Sequence, residues 1–272
     1  MKLDIYIGSE THCVDTADPI DISIPVQFNG KQPNAFDVPC AKSEPYRDNH
    51  FVGDTREGGS CNFEVYTIIP HCNGTHTEGI GHLARERIPI NKIFRQVFLP
   101  ATLITLQPIA AKKTSEQYLP EKNNADLLLT RQALEQTLSR VSEFNQALII
   151  RTLPNDETKK SRRYMDEPPP FFSIDAIRFL NEMRVEHLLV DTPSLDRPLD
   201  DGKLTAHHIY WSVPLESNEI ELDSHSMKTI TEMIYVPNSV KDGRCFINIQ
   251  IPNFIADAAP SRVLLYSSMA KK

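Results

Sequence analysis

Apolar and polar residues alternate over 20–26, the two-residue period of a half-buried strand. Residues 63–69 are rich in β-branched and aromatic side chains and predict a second strand, which leads straight into a run dense in histidine and glycine. Residues 94–99 and 101–107 predict two more, broken at Pro100. From Asp126 to Val141 the spacing changes: Leu127, Leu134, Leu138 and Val141 form one stripe and predict a helix. A short buried strand is expected over 146–153. Ser173 is placed to cap a helix over 174–183, followed by a strand over 185–190 and a polar turn from Asp191 to Asp196. Ala206, His207 and His208 fall in a segment suited to a helix, and 214–226 read as a polar excursion. Residues 230–236 are apolar except for Thr231 and Glu232, and a carboxylate in such a run is turned outward or held by a cation. Strands over 244–251 and 262–266 close the sheet.

Two stretches lack periodicity. Residues 27–61 are rich in Asn, Pro, Gly and Asp, and a loop that long is usually functional, here expected over the active site or at a subunit contact. Residues 154–170 carry Lys159, Lys160, Arg162 and Arg163 and are expected to be a solvated loop. With no internal repeat and no linker, 1–272 is expected to be one domain. The net charge of -7 argues against nucleic acid as a partner. No apolar run is long enough to cross a bilayer, and Met1 to Ile5 lacks the apolar region of a signal peptide. Five scattered cysteines without a CxxC pair fit a reducing compartment, so a cytoplasmic protein is expected.

The chemistry concentrates in residues 70–82. Cys72, His76, Glu78 and His82 share one parity, so a near-extended chain would point all four the same way. Gly74, Gly79 and Gly81 argue against a helix there. Thiolate, imidazole and carboxylate are donors that a first-row divalent cation prefers, zinc above all. The plainer alternative is a surface histidine beside a small buried cysteine. Asn73-Gly74-Thr75 matches a glycosylation sequon, which matters only in a secreted protein.

The run from Cys72 to His82 resembles the signature of the cyclase family, H-x-G-T-H-x-D-x-P-x-H, whose members include bacterial kynurenine formamidases and isatin hydrolases. Gly74, Thr75, His76 and His82 match position for position. Cys72 replaces the first histidine, Glu78 replaces the aspartate, and glycines flank Ile80 where the family has proline nearby. His71 lies one residue out of register. Asp191 to Asp196 resembles the family's D-x-x-S-x-D segment, and His207 and Glu232 resemble its later histidine and glutamate ligands. The resemblance implies a swivelling β/β/α domain with a mixed, barrel-like sheet, assembled as a dimer or tetramer.

It also implies a hydrolase of carbonyl–nitrogen bonds in a small-molecule substrate, arylformamidase-like and linked to tryptophan catabolism. Cys72, His76, Glu78, His207 and Glu232 would hold one or two ions of zinc, with manganese as the alternative. Such an ion lowers the pKa of bound water from about 15.7 towards 7 and supplies hydroxide as nucleophile. His82 would be the general acid or base, since an imidazole titrates near the working pH. His208 and Glu216, Glu219 and Glu221 are the fallback ligands, and Asp191 and Asp196 are expected to be structural. Three alternatives stand beside this: an isatin-type cyclic amide hydrolase, a metal-binding relative without catalysis, and a cysteine hydrolase with Cys72 as nucleophile.

Overall fold

Short runs of branched, apolar side chains build the central sheet, and their burial explains their composition. The computed structural model describes residues 1–96, 98–138 and 140–270. Among them, nine strands form the main sheet: β1 (Ile20–Asp21), β2 (His76–Glu78), β3 (Phe98–Leu106), β4 (Ala147–Thr152), β5 (His187–Val190), β6 (Thr229–Glu232), β7 (Gly243–Gln250), β8 (Ala258–Pro260) and β9 (Arg262–Ser267). Their spatial order is β8-β2-β6-β5-β4-β3-β7-β9-β1. The middle strands β3 to β6 are parallel, and both flanks are antiparallel. The sheet curls into a half-barrel, the mixed swivelling β/β/α architecture that the resemblance implies.

Every residue of β4 and β5 is buried, as central parallel strands covered on both faces must be. Three helices occupy the crossovers between the parallel strands: α1 (Arg131–Thr137), α2 (Ile174–Glu182) and α3 (Thr205–Trp211). Ser173 caps α2 as expected, its hydroxyl accepting from Ala176 N at 3.0 Å. Ala176, Ile177, Phe179 and Leu180 on this helix are buried in the main core.

Several elements differ from their sequence patterns. The helix expected over 126–141 starts only after Thr130, which caps it, while Leu127–Leu129 is a strand paired with Phe171–Phe172 and Ile109–Ala110. Three consecutive leucines satisfy a buried strand as well as a helical stripe, and the partner strands decide. The break expected at Pro100 is absent because Pro100 lies opposite Phe246 of β7, one residue before pairing with β4 begins at Ala101. Only two residues of 20–26 pair as a strand, and Ser23 then bridges to Ile234. Lys159 belongs to a basic run yet is buried, its Nζ 2.7 Å from Asp191 Oδ2.

The segment before the histidine-rich run is partly ordered by pairing. Glu64–Thr67 pairs with Lys42–Pro45 in a two-stranded ribbon, and all four residues of Glu64–Thr67 are exposed. Farther along, Ala35 N donates to Cys72 O at 3.1 Å and Asn73 Nδ2 donates to Pro39 O at 3.2 Å. These bonds brace the chain just ahead of β2.

Candidate metal centre

The run from Pro70 to His82 is not uniformly extended. Pro70–Asn73 is one helical turn, β2 is extended, and Ile80–His82 is a tight turn. Alternation therefore places His76 and Glu78 on one face of β2 and says nothing about residue 72. β2 lies between β6 and β8, with His76 opposite Glu232. A Cβ on Gly81 would stand 2.1 Å from Ile88 O, so that turn closes only on glycine.

The first group of donors is buried. His76 Nε2 lies 3.5 Å from Glu232 Oε2. His207, from α3, places Nε2 3.0 Å from Glu78 Oε1 and 3.6 Å from Glu232 Oε1. Each imidazole is fixed by its other nitrogen: His76 Nδ1 is 3.0 Å from Gly74 O, and His207 Nδ1 is 2.5 Å from Asp196 Oδ2. Those contacts make Nδ1 the donor and leave each Nε2 turned inward, towards the carboxylates. His76 Nε2 is buried without a hydrogen-bond partner. Glu232 is steadied by Leu195 N, which donates to Oε1 at 3.1 Å.

The second group shares Glu78 and is more open. His71 Nε2 lies 3.3 Å from both Glu78 Oε2 and Asp257 Oδ2. His82 Nδ1 is 3.7 Å from Glu78 Oε2 and 3.5 Å from Asp257 Oδ2. The His71 and His82 rings stack with centroids 4.6 Å apart.

The electrostatics favour added positive charge. Burial would raise the Glu78 carboxyl, but His82, His207 and His71 around it hold it well below the usual range. Burial would likewise lower His207, but its bonds to Asp196, Glu232 and Glu78 raise it well above an ordinary imidazole. For His71, hydrogen bonding to Asp257 and Glu78 outweighs burial, and its pKa is raised to about 10. Hydrogen bonds from the same His71 and from His82 push Asp257 below the normal carboxylate range. Protons on His71 and His207 thus offset part of the surrounding carboxylate charge, and a divalent cation can supply the same charge. The inward-facing Nε2 atoms, one of them the unpartnered His76 Nε2, fit such an ion, which would take the place of the proton.

Among the residues singled out in the sequence, His76, Glu78, His207 and Glu232 come together, and His82 joins them through Glu78. Cys72 is buried beside Glu232 and belongs to neither group of donors. Burial and that carboxylate push its thiol up to about 11. Glu216 pairs with Lys203 and Glu219 with Arg85, while Glu221 accepts from Ser224. Asp191 accepts from Lys159 and Thr152, and Asp196 orients His207. Sequence reasoning missed Asp257. Its signal was a lone carboxylate among Ile255, Ala256, Ala258 and Ala259, the same signal that marked Glu232. A cavity of about 690 Å³ along the 212–226 excursion touches Ile80, Trp211, Glu219 and Glu221, yet none of His71, His76, Glu78, His82, His207, Glu232 and Asp257 lines it.

The model of the Cyclase family matches residues 20–197. No curated protein matches the chain. Several solved structures share its fold at low identity. Isatin hydrolase A from Labrenzia aggregata is 13% identical with a TM-score of 0.62, covering 93% of this chain and 94% of its own. Isatin hydrolase A from Ralstonia solanacearum is 16% identical with a TM-score of 0.58, covering 92% and 91%. A predicted metal-dependent hydrolase from Bacillus stearothermophilus is 16% identical with a TM-score of 0.57, covering 92% and 98%.

Proposed function

The chain belongs to the Cyclase family, and from that premise we propose that it is a metal-dependent hydrolase cleaving a carbonyl–nitrogen bond in a small substrate. The observation that carries this is the buried pair of imidazoles, His76 and His207, each tied at Nδ1 and aiming Nε2 at Glu78 and Glu232. We assign those four side chains as the ligands of one divalent cation, zinc or manganese by the softness of the donors. When bound, such an ion supplies Lewis acidity and makes water nucleophilic at neutral pH. Gly74 O and Asp196 hold the two imidazoles in register, and Leu195 N keeps Glu232 turned inward. His82, about one-quarter exposed at its side chain, stands on the open side with Asp257. It is placed either to move a proton or to act as a ligand.

Two substrate classes are the candidates: cyclic amides of the isatin type, for which two of the similar structures are named, and the aryl formamides that the sequence resemblance implies. The test is hydrolysis of isatin and N-formylkynurenine by protein stripped with a chelator and reloaded with zinc or manganese. Activity should vanish on stripping, return on reloading, and be absent with or without metal in Glu232→Gln. Hydrolysis that survives the chelator but is abolished by iodoacetamide would replace this reading with nucleophilic attack by Cys72. The burial of that thiol, pushed up to about 11, disfavours the thiolate such attack needs.

A further inference from the structure

We propose that Tyr118 is a positioning residue for the site: its hydroxyl fixes Asp196, and through Asp196 it sets the ring of His207 towards Glu78 and Glu232. The proposal rests on the reading above for what His207 binds, and on the geometry alone for how His207 is held. Tyr118 lies outside every motif drawn from the sequence.

Asp196 meets four donors with its two oxygens. Oδ2 takes His207 Nδ1 at 2.5 Å and His207 N at 3.2 Å, while Oδ1 takes Ala206 N and Tyr118 Oη, each at 2.6 Å. Three of the four come from the first turn of α3 itself. They fix the carboxylate relative to the helix, but not the helix relative to the rest of the molecule. Tyr118 supplies that reference. Its side chain is buried, packs edge-on against Phe171 with ring centroids 4.6 Å apart, and shares a small core with Ala111 and Leu128. Thr205 Oγ1 donates to Leu119 O at 2.6 Å, so the same segment grips the start of α3 a second time.

The hydroxyl has one proton and two carboxylates within reach. Asp200 Oδ2 lies 3.4 Å from Tyr118 Oη and already accepts from Leu204 N at 2.6 Å, so the proton goes to Asp196. Arg197 N donates to Oη at 3.2 Å and fills its acceptor side. Burial and the Asp196 charge push the phenol well above its ordinary range, so it stays protonated and donating at neutral pH. A hydroxyl bonded to a carboxylate is charge-assisted and about twice as strong as a neutral pair, and the contact to Asp196 has the length of such a bond. A carboxylate that orients a metal-binding imidazole also raises its basicity, so loosening Asp196 weakens the ligand as well as its aim.

The experiment compares Tyr118→Phe, Asp196→Asn and the double variant on the full chain. It reads zinc affinity by chelator competition and the His207 Nδ1 proton by nuclear magnetic resonance, with circular dichroism to check that each variant folds. Tyr118→Phe should weaken zinc binding about 3- to 10-fold, less than the loss of a ligand's direct partner, because Ala206 N still holds Oδ1. It should also move the Nδ1 proton resonance of metal-free protein, assigned by its absence in His207→Gln. The double variant should bind zinc as Asp196→Asn does, since both changes cut one chain of contacts. An unmoved resonance in Tyr118→Phe makes Tyr118 a packing residue and overturns the proposal, whatever the melting temperature, and so does wild-type zinc affinity. Losses that add in the double variant overturn it too, because Tyr118 then acts by another route. If wild type itself binds no zinc, the metal reading falls and the resonance alone decides the role of Tyr118.

Discussion

His76 and His207 are useful as inward-facing donors because of the nitrogen each commits elsewhere. The Asp196 carboxylate accepts from His207 Nδ1, from Ala206 N and from Tyr118 Oη, so it fixes the imidazole from outside the donor set. Asp196→Asn should therefore weaken metal binding about 10- to 100-fold without removing a ligand, read by competition with a coloured chelator. Cys72→Ala should leave metal content unchanged, because no donor group includes the thiol; loss of an ion on elemental analysis would restore Cys72 as a ligand. His187 offers a test away from the metal. Burial lowers its pKa to about 4, while the unfolded chain titrates near 6.5. Between these values the unfolded state binds more protons, so stability is complete above about pH 6.5 and falls as pH drops towards 4. The loss approaches roughly 3 kcal/mol by linkage, and His187→Gln should flatten it in urea titrations at pH 7 and 4.5 compared with wild type.

At the scale of elements, what could be read from the chain depended on whether a segment's partner was local. Ser173 and the apolar face of α2 are self-contained, and the helix lies where the pattern placed it. Leu127, Leu128 and Leu129 needed their partners at 109–110 and 171–172 to become a strand, and no local pattern carries that information. The same limit applied to the donors. His76 and Glu78 could be paired by alternation, but the helical turn at Pro70–Asn73 that turns His71 towards Glu78 was hidden by a glycine-rich sequence that reads as extended. Lys159 shows the limit for charge patterns: a basic run predicts solvent, yet this ammonium is buried against Asp191, which also binds Thr152 N at the end of β4. Lys159→Ala leaves Asp191 buried and unpaired, and should destabilise the fold by about 3–5 kcal/mol in denaturant titration. Gly81→Ala drives a methyl against the carbonyl of Ile88, so it should displace His82 and lower the hydrolytic rate even where the fold survives, as steady-state assays would read.

Across the whole molecule, the donors come from residues 71 to 257 of a 272-residue chain, carried by β2, β6, α3, the turns flanking β2 and the residue just ahead of β8. Without a cation, the carboxylates Glu78, Glu232 and Asp257 stand within 4 Å of imidazole nitrogens, and protons on His71 and His207 offset part of their charge. An ion bound there ties together segments that the unfolded chain cannot hold close, so binding free energy is also folding free energy. At a free metal concentration about 100-fold above the dissociation constant, the folded state gains about 2.7 kcal/mol, a rise in melting temperature of roughly 5–10 °C. Calorimetry with chelator and then with added zinc should show that rise in wild type. Glu78→Gln removes a carboxylate that both groups of donors share and should abolish it. A melting temperature indifferent to metal in wild type would mean that these segments are held by protonated histidines alone, and the assignment of the site as a metal centre would fail.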